Sequence, residues 1–231
     1  MIDKNNLKSV LSRIVSAKKR SNQNKKVEIV AVTKNHPASV ITSSYNIGLR
    51  YIGENRVQEG ERKIREIKTT KLPGLTKRFI GHLQSNKAKK CVNNFDTIDS
   101  IHSLRLLRKV SNECEKSKKR ISVFLEINTS KESQKKGFSI NNKEEMFKCF
   151  EVKNVQVKGL MTMAPYTKNE KKLRLSFSLL RNLREELNRS LPEKPLKHLS
   201  MGMSGDYEIA IEEGSTMVRL GTVLFGERRL S

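Results

Sequence analysis

The chain has 231 residues, 35% of them hydrophobic, and its 47 Lys+Arg against 24 Asp+Glu give a formal net charge of +23. That length supplies one sizeable core and leaves two full domains cramped, since single α/β barrels run to roughly 250 residues. No run approaches the roughly 18 apolar residues of a membrane span, and no opening segment has the continuous apolar stretch of a secretory signal, so a soluble protein with no membrane partner is expected.

Taken in chain order, Leu7, Val10, Leu11, Ile14 and Val15 recur at helical spacing with polar residues between them. This predicts an amphipathic helix within residues 1–26, packed on the body of the protein. A mitochondrial targeting peptide is the alternative for a basic, serine-containing start; Asp3 and the short distance to the first strand argue against it. Short β-branched or apolar runs follow at Val27 to Thr33, Leu49 to Gly53, Arg78 to Leu83, Phe95 to Ile98, Ile121 to Asn128, Val155 to Met161, Leu196 to Met201 and Met217 to Leu220. Between them Pro37 to Ile47, Arg56 to Lys68, Asn86 to Val92, Leu104 to Lys116, Lys143 to Phe150, Leu173 to Arg189 and Asp206 to Glu213 read as helices. Eight strands alternating with helices predict a parallel sheet of βα units. At this length a (β/α)8 TIM barrel is the economical closure. No repeat, low-complexity linker or composition shift divides residues 1–231, so one domain is expected.

A doubly wound open sheet is the competing architecture. Its dinucleotide fingerprint is missing where it must occur, because the first strand runs into Thr33-Lys34-Asn35-His36-Pro37 and not into a Gly-x-Gly-x-x-Gly turn. A Gly-x-x-x-x-Gly-Lys-Ser/Thr phosphate loop is absent as well.

In a parallel barrel, polar residues at the carboxyl ends of the strands share one mouth. Lys34 follows the first strand, and a period of two puts it on the face of Val30 and Val32. If that face is the interior, burial disfavours the ammonium and leaves an amine suited to forming a Schiff base with an aldehyde. An ordinary lysine reaching past the strand end into solvent is the plain alternative. Ser200-Met201-Gly202-Met203-Ser204-Gly205 follows the seventh strand, and Arg219-Leu220-Gly221-Thr222 closes the eighth. Glycines and hydroxyls there suit a bound phosphate, which barrel enzymes commonly hold after these two strands. Gly and Ser also populate ordinary turns. Together the features describe a site for an aldehyde that carries a phosphate, and pyridoxal 5′-phosphate (PLP) is such a molecule.

Five segments sharpen this reading: Val30 to Lys34 (VAVTK), Ile52 to Glu59 (IGENRVQE), Phe79 to Lys87 (FIGHLQSNK), Ser200 to Ser204 (SMGMS) and Val218 to Gly226 (VRLGTVLFG). In order and spacing they resemble the motifs of the pyridoxal phosphate homeostasis proteins, and they span almost the whole chain. Asn128-Thr129-Ser130 with Lys135-Lys136-Gly137-Phe138 resembles that family's loop after the fifth strand. The resemblance implies a barrel like the cofactor domain of alanine racemases, with PLP covalently held on Lys34. It further implies that Ser204, Gly205, Gly221 and Thr222 hold the phosphate, that Arg219 faces the pyridine nitrogen, and that Asn55, His82 and Met201 line the rest of the pocket.

An arginine stays cationic and only donates hydrogen bonds. At the pyridine nitrogen it keeps that nitrogen unprotonated and weakens the ring as an electron sink. A racemase tolerates this but needs two bases, and the racemases of this fold take the second, a tyrosine, from a further C-terminal domain. Tyr45, Tyr51, Tyr166 and Tyr207 match no such position; Tyr166 alone is placed to reach the mouth. The expectation is a monomeric, cytoplasmic PLP carrier that buffers the cofactor or delivers it to PLP-dependent apo-enzymes, without efficient amino-acid turnover. A PLP-dependent amino-acid racemase is the alternative.

A basic nucleic-acid-binding protein is the remaining class. The cations are spread over nearly every polar stretch and aromatic residues make up only 5%. Stacking platforms need aromatic faces beside the cations, so no nucleic-acid partner is expected. Lys135, Lys136, Arg228 and Arg229 are candidates for a secondary anion site. The four histidines have no metal-ligand spacing. Cys91, Cys114 and Cys149 form no C-x-x-C pair, as suits a reducing compartment, and Cys91 and Cys114 read as packing residues. The pairs Glu144-Glu145 and Glu212-Glu213 read as solvated.

Overall fold

Immediately after Lys25-Lys26 the chain turns to the β-branched run that becomes the first strand, β1 (Glu28–Val32). The computed structural model describes residues 2–68, 71–130, 136–191, 193 and 195–226. The other strands of the main sheet are β2 (Tyr51–Glu54), β3 (Thr76–Phe79), β4 (Thr97–Ile101), β5 (Ile121–Asn128), β6 (Val155–Met161), β7 (His198–Ser200) and β8 (Met217–Leu220). Each pairs in parallel with the next, and β8 pairs back on β1 through Val30↔Arg219 and Ala31↔Leu220, closing an eight-stranded barrel. A two-residue strand, Phe138–Ser139, extends the sheet beside the end of β5. The helices are α1 (Lys4–Arg20), α2 (Ser39–Asn46), α3 (Val57–Glu66), α4 (Ala88–Asn94), α5 (Leu104–Lys116), α6 (Lys143–Phe150), α7 (Glu170–Arg189), α8 (Tyr207–Glu212) and α9 (Thr222–Phe225). The protein is therefore a (β/α)8 TIM barrel preceded by an N-terminal helix. Among the described residues no helix is long and apolar enough to cross a membrane.

Alternation along the strands sorts the side chains into two layers. Val30, Phe124, Met161 and Met217 form a small apolar cluster inside the barrel. Ile29, Ala31, Val218 and Leu220 point outward against α1, α8 and α9. The larger share of the core lies between the remaining strands and α4 to α7. The interior also carries charge. Arg78 on β3 makes a two-pronged bond to Asp99 on β4, at 2.8 and 2.9 Å, and its guanidinium lies 4.8 Å from the Phe124 ring centroid.

Asp3 caps α1 by accepting from the Asn5 amide at 2.8 Å, and the helix buries Leu7, Val10, Ile14 and Ala17 against α8 and α9. Leu11 and Val15, expected in the same stripe, are 47% and 52% exposed. One line of residues is enough to fill the groove, because the flanks are bridged by ions: Arg20 Nε meets Glu212 Oε1 at 2.5 Å and Arg13 pairs with Glu208. Glu212 and Glu213, read from sequence as solvated, are thus structural; both also pair with Arg174, and Glu213 with Arg181 at 2.7 Å. Glu145 likewise accepts the Leu104 amide at 3.0 Å.

β3 and β4 are shifted furthest from their expected bounds. β3 starts at Thr76 and ends at Phe79, short of Leu83, because the chain leaves the sheet at Gly81. A Cβ on Gly81 would lie 2.1 Å from the Asn55 carbonyl oxygen. β4 runs on to Ile101, since Asp99 and Ser100, which look like loop residues, find partners in Arg78 and in the Gly81 carbonyl. The cysteines are buried in the helical layer, and burial pushes the Cys114 thiol up to about 11 and Cys149 to about 12.

Candidate functional site

Lys34 stands two residues beyond the end of β1, half-buried at the carboxyl mouth. The residues on both sides of it are tied down. The Thr33 amide donates to Gly53 O at 3.0 Å, continuing the ladder, and the Thr33 hydroxyl donates to Glu54 Oε1 at 2.6 Å. Asn35, at φ 61°, donates its amide to Glu59 Oε1 at 2.6 Å. Lys63 of α3 joins these anchors. Its fully buried ammonium reaches Thr33 O at 2.7 Å, Glu54 Oε1 at 2.9 Å and Glu59 Oε1 at 2.7 Å. Burial raises the Glu54 carboxyl above its ordinary value, against the pull of Lys63. None of Glu54, Glu59 and Lys63 was expected in a site; the motif Glu54-Asn55-Arg56 with Glu59 was the available signal.

Arg219 lies on the inward face of β8 and is 5% exposed. Its Nη1 donates to Ser200 O at 2.7 Å and Ser200 Oγ at 2.9 Å, and its Nη2 donates to Thr162 O at 2.8 Å. Carbonyls at the ends of β6 and β7 therefore set the plane of the guanidinium. Burial lowers its pKa from the ordinary arginine value, opposed by the charges of Asp99, Asp206 and Glu126. Glu126, inward on β5 and 6% exposed, has its carboxyl pushed up to about 7 by burial, with Arg219 and Lys136 pulling the other way.

A folded-state value above the unfolded one means that the folded protein holds the extra proton. The stability linked to Glu126 is fully present below the ordinary carboxylate range and is lost as pH rises through about 7. In the cofactor-free protein this amounts to about 3 kcal/mol. Glu126→Gln is expected to flatten that slope in urea titrations between pH 5 and 8. A wild-type stability that climbs over this interval would contradict the assignment.

The loop after β7 passes close beneath the end of β8. Gly202, at φ +96°, makes room for it, since a Cβ there would meet Ala210 Cβ at 2.6 Å. Ser204 Oγ then accepts long hydrogen bonds from the amides of Gly221 (3.3 Å) and Val223 (3.4 Å). Gly205 opens onto free space, and Thr222 is exposed beside it. The Lys34 loop is adjacent: a Cβ on Gly221 would lie 3.6 Å from Val32, and the rings of His36 and Phe225 are 5.0 Å apart. Closure of β8 on β1 thus brings Lys34, Ser204, Gly205, Arg219, Gly221 and Thr222 to one end of the barrel.

The remaining expected residues divide. Asn55 is half-buried next to Gly81, and its Oδ1 is buried without a hydrogen-bond partner among the described residues. His82 is exposed, with its ring 4.8 Å from that of His102 and its Nε2 2.8 Å from Lys136 Nζ. Burial and the Lys136 charge lower its pKa. Met201 is fully buried in the outer core, one residue out of phase with Ser200, whose hydroxyl meets Arg219. Ser200 and Thr162 were not anticipated. Tyr166, after β6, is fully exposed. Lys135, Arg228 and Arg229 lie outside the described residues.

The donor set suits a phosphorylated aldehyde: an amine at Lys34, two backbone amides and two hydroxyls around Ser204, and a fixed cation at Arg219. The orphaned Asn55 Oδ1 adds an acceptor.

The family model described as alanine racemase, N-terminal domain, matches residues 5–229, and the fold falls in that class. Among curated proteins, the pyridoxal phosphate homeostasis protein of Aquifex aeolicus (strain VF5) is 40% identical over 225 residues, covering 96% of this chain and 97% of its own. The chain belongs to the pyridoxal phosphate homeostasis protein family. Among solved structures, PipY of Synechococcus elongatus PCC7942 with PLP bound superposes with a TM-score of 0.81 at 36% identity, over 93% of this chain and 99% of that one. Alanine racemase of Clostridium difficile 630 shares the fold at 17% identity and a TM-score of 0.75, with 98% of this chain matching 57% of the racemase.

Proposed function

We propose that the chain binds PLP through a Schiff base to Lys34 and acts as a cytoplasmic carrier. In this reading it buffers the cofactor or delivers it to apo-enzymes, as a monomer whose 231 residues form one PLP-binding unit. The observation that carries the proposal is the convergence at one mouth of Lys34 with the Ser204, Gly221 and Val223 cluster. The PLP-bound PipY relative and the names of the curated relatives support it. Bound PLP supplies a reactive aldehyde and an electron-accepting ring. Ser204, Gly205, Gly221 and Thr222 receive the phosphate, Arg219 takes the pyridine-nitrogen side, and Asn55 offers its unpartnered oxygen to the ring. His82 stands at the rim. Met201 supports the pocket from the outer core.

Arg219 argues against the PLP chemistry that needs a strong electron sink, such as decarboxylation or transamination. Its guanidinium, oriented by carbonyls and a hydroxyl, stays cationic and donates only hydrogen bonds, which leaves a facing ring nitrogen unprotonated. The curated relatives are named as homeostasis proteins and not as enzymes.

The purified protein mixed with PLP is expected to show visible Schiff-base absorbance, which borohydride converts to a covalent label. A protein that stays colourless with added PLP refutes the proposal. For the racemase alternative, the loaded protein is incubated with L-alanine in deuterated water. Carriage predicts no measurable α-proton exchange or D-alanine over hours, and ready appearance of both would establish the racemase.

A further inference from the structure

At the end of the barrel opposite Lys34, a groove of about 700 Å³ runs between the last turns of α7 and the leading edges of β1, β7 and β8. Its walls carry Lys25, Lys26, Arg184, Arg189, Lys197 and His198, against one carboxylate, Glu185. Lys26 is engaged by Glu28 at 2.8 Å, while Lys25, Arg189 and Lys197 are exposed. Asn188 fixes the wall by accepting from the Leu196 amide at Oδ1, at 2.7 Å, and donating from Nδ2 to the Leu196 carbonyl, at 3.1 Å.

Arg184 separates this groove from ordinary basic surface. It is only 6% exposed, and its ion-pair partner among the described residues, Glu185, is half-exposed and stands 3.6 Å away, so it offsets the desolvated charge only in part. The neighbouring Arg181 adds like charge and spends its own bonds on Glu213. A buried cation whose one counter-charge is a half-exposed carboxylate 3.6 Å away is incompletely compensated, and an anion in the groove would relieve it. His198 is kept toward its neutral form by burial and by Arg78, Lys158 and Lys197, with Glu28 opposing. The groove volume lies in the range of small-molecule sites. Its lining contains no Phe, Tyr or Trp to stack on a base, so the charged groups themselves must be what is recognised.

We infer that this groove binds a small anion carrying two or more phosphate groups, with Arg184 at its floor and Lys25, Arg189 and Lys197 at its rim. The site is independent of the PLP site at the other end.

Tripolyphosphate titrated calorimetrically into the full chain, with and without PLP, tests the inference. One equivalent is expected to bind equally in both forms, more tightly than inorganic phosphate. Lys25→Ala with Lys197→Ala should weaken binding by about tenfold, and Arg184→Gln by more if it folds. The pair Lys116→Ala and Lys118→Ala, elsewhere on the surface, should leave binding unchanged. Any of four results overturns the inference: no binding at low salt, equal weakening by the control pair, displacement by PLP, or tighter binding of an oligothymidylate than of tripolyphosphate.

Discussion

Lys34→Ala is expected to abolish covalent capture of PLP. Borohydride treatment of the loaded wild type is expected to place the label on the peptide containing residue 34. The variant should show only the scattered labelling of surface lysines, which other positions give as well. Without the covalent bond, PLP affinity should fall by about a hundredfold, leaving the phosphate contacts near Ser204 and Gly221 as the main hold. The physical basis is the fixed approach of the chain to the mouth: Thr33 and Asn35 are both bonded to carboxylates on β2 and α3, so the backbone at Lys34 is held before the cofactor arrives. Unchanged labelling of Lys34→Ala, with the label on another single lysine, would move the attachment point.

Lys63→Met should cost about 3–5 kcal/mol of folding stability, because it removes the cation from a buried, hydrogen-bonded cluster. Glu54 is fully buried and would lose its only ion-pair partner among the described residues, while the Thr33 carbonyl would lose a donor. The cost should shrink at low pH, where Glu54, already raised above the ordinary carboxylate value, takes up a proton. Lys63→Met with Glu54→Gln should recover much of the loss. Urea denaturation at pH 5 and pH 8 measures both effects, and a Lys63→Met protein as stable as the wild type at pH 8 would contradict the clamp. The same variant loosens the anchors of Thr33 and Asn35, so slower Schiff-base formation at Lys34 should accompany the instability.

The sequence by itself determined the alternation of eight strands with helices, the position of Lys34 past the first strand, and the glycine and serine loops past the last two. These features are local: the period of the apolar residues and the chemistry of turns are written within a few positions of each other. Five motifs in one order also sufficed to identify the family. The tertiary structure alone decided which line of α1 is buried, that Ser200 meets Arg219 while Met201 turns to the outer core, and that Glu54, Glu59 and Lys63 brace the site. It also made Glu212 and Glu213 structural. Each of these depends on residues brought together from separate elements; Thr33 bonds Glu54 and Lys63 from 21 and 30 positions away, and Arg219 reaches a carbonyl 57 positions away. Closing β8 against β1 creates such neighbours, and burial then decides which charges must pair. The single figure of +23 records none of this, because it counts Lys63, Arg184 and Arg219 together with the solvated lysines.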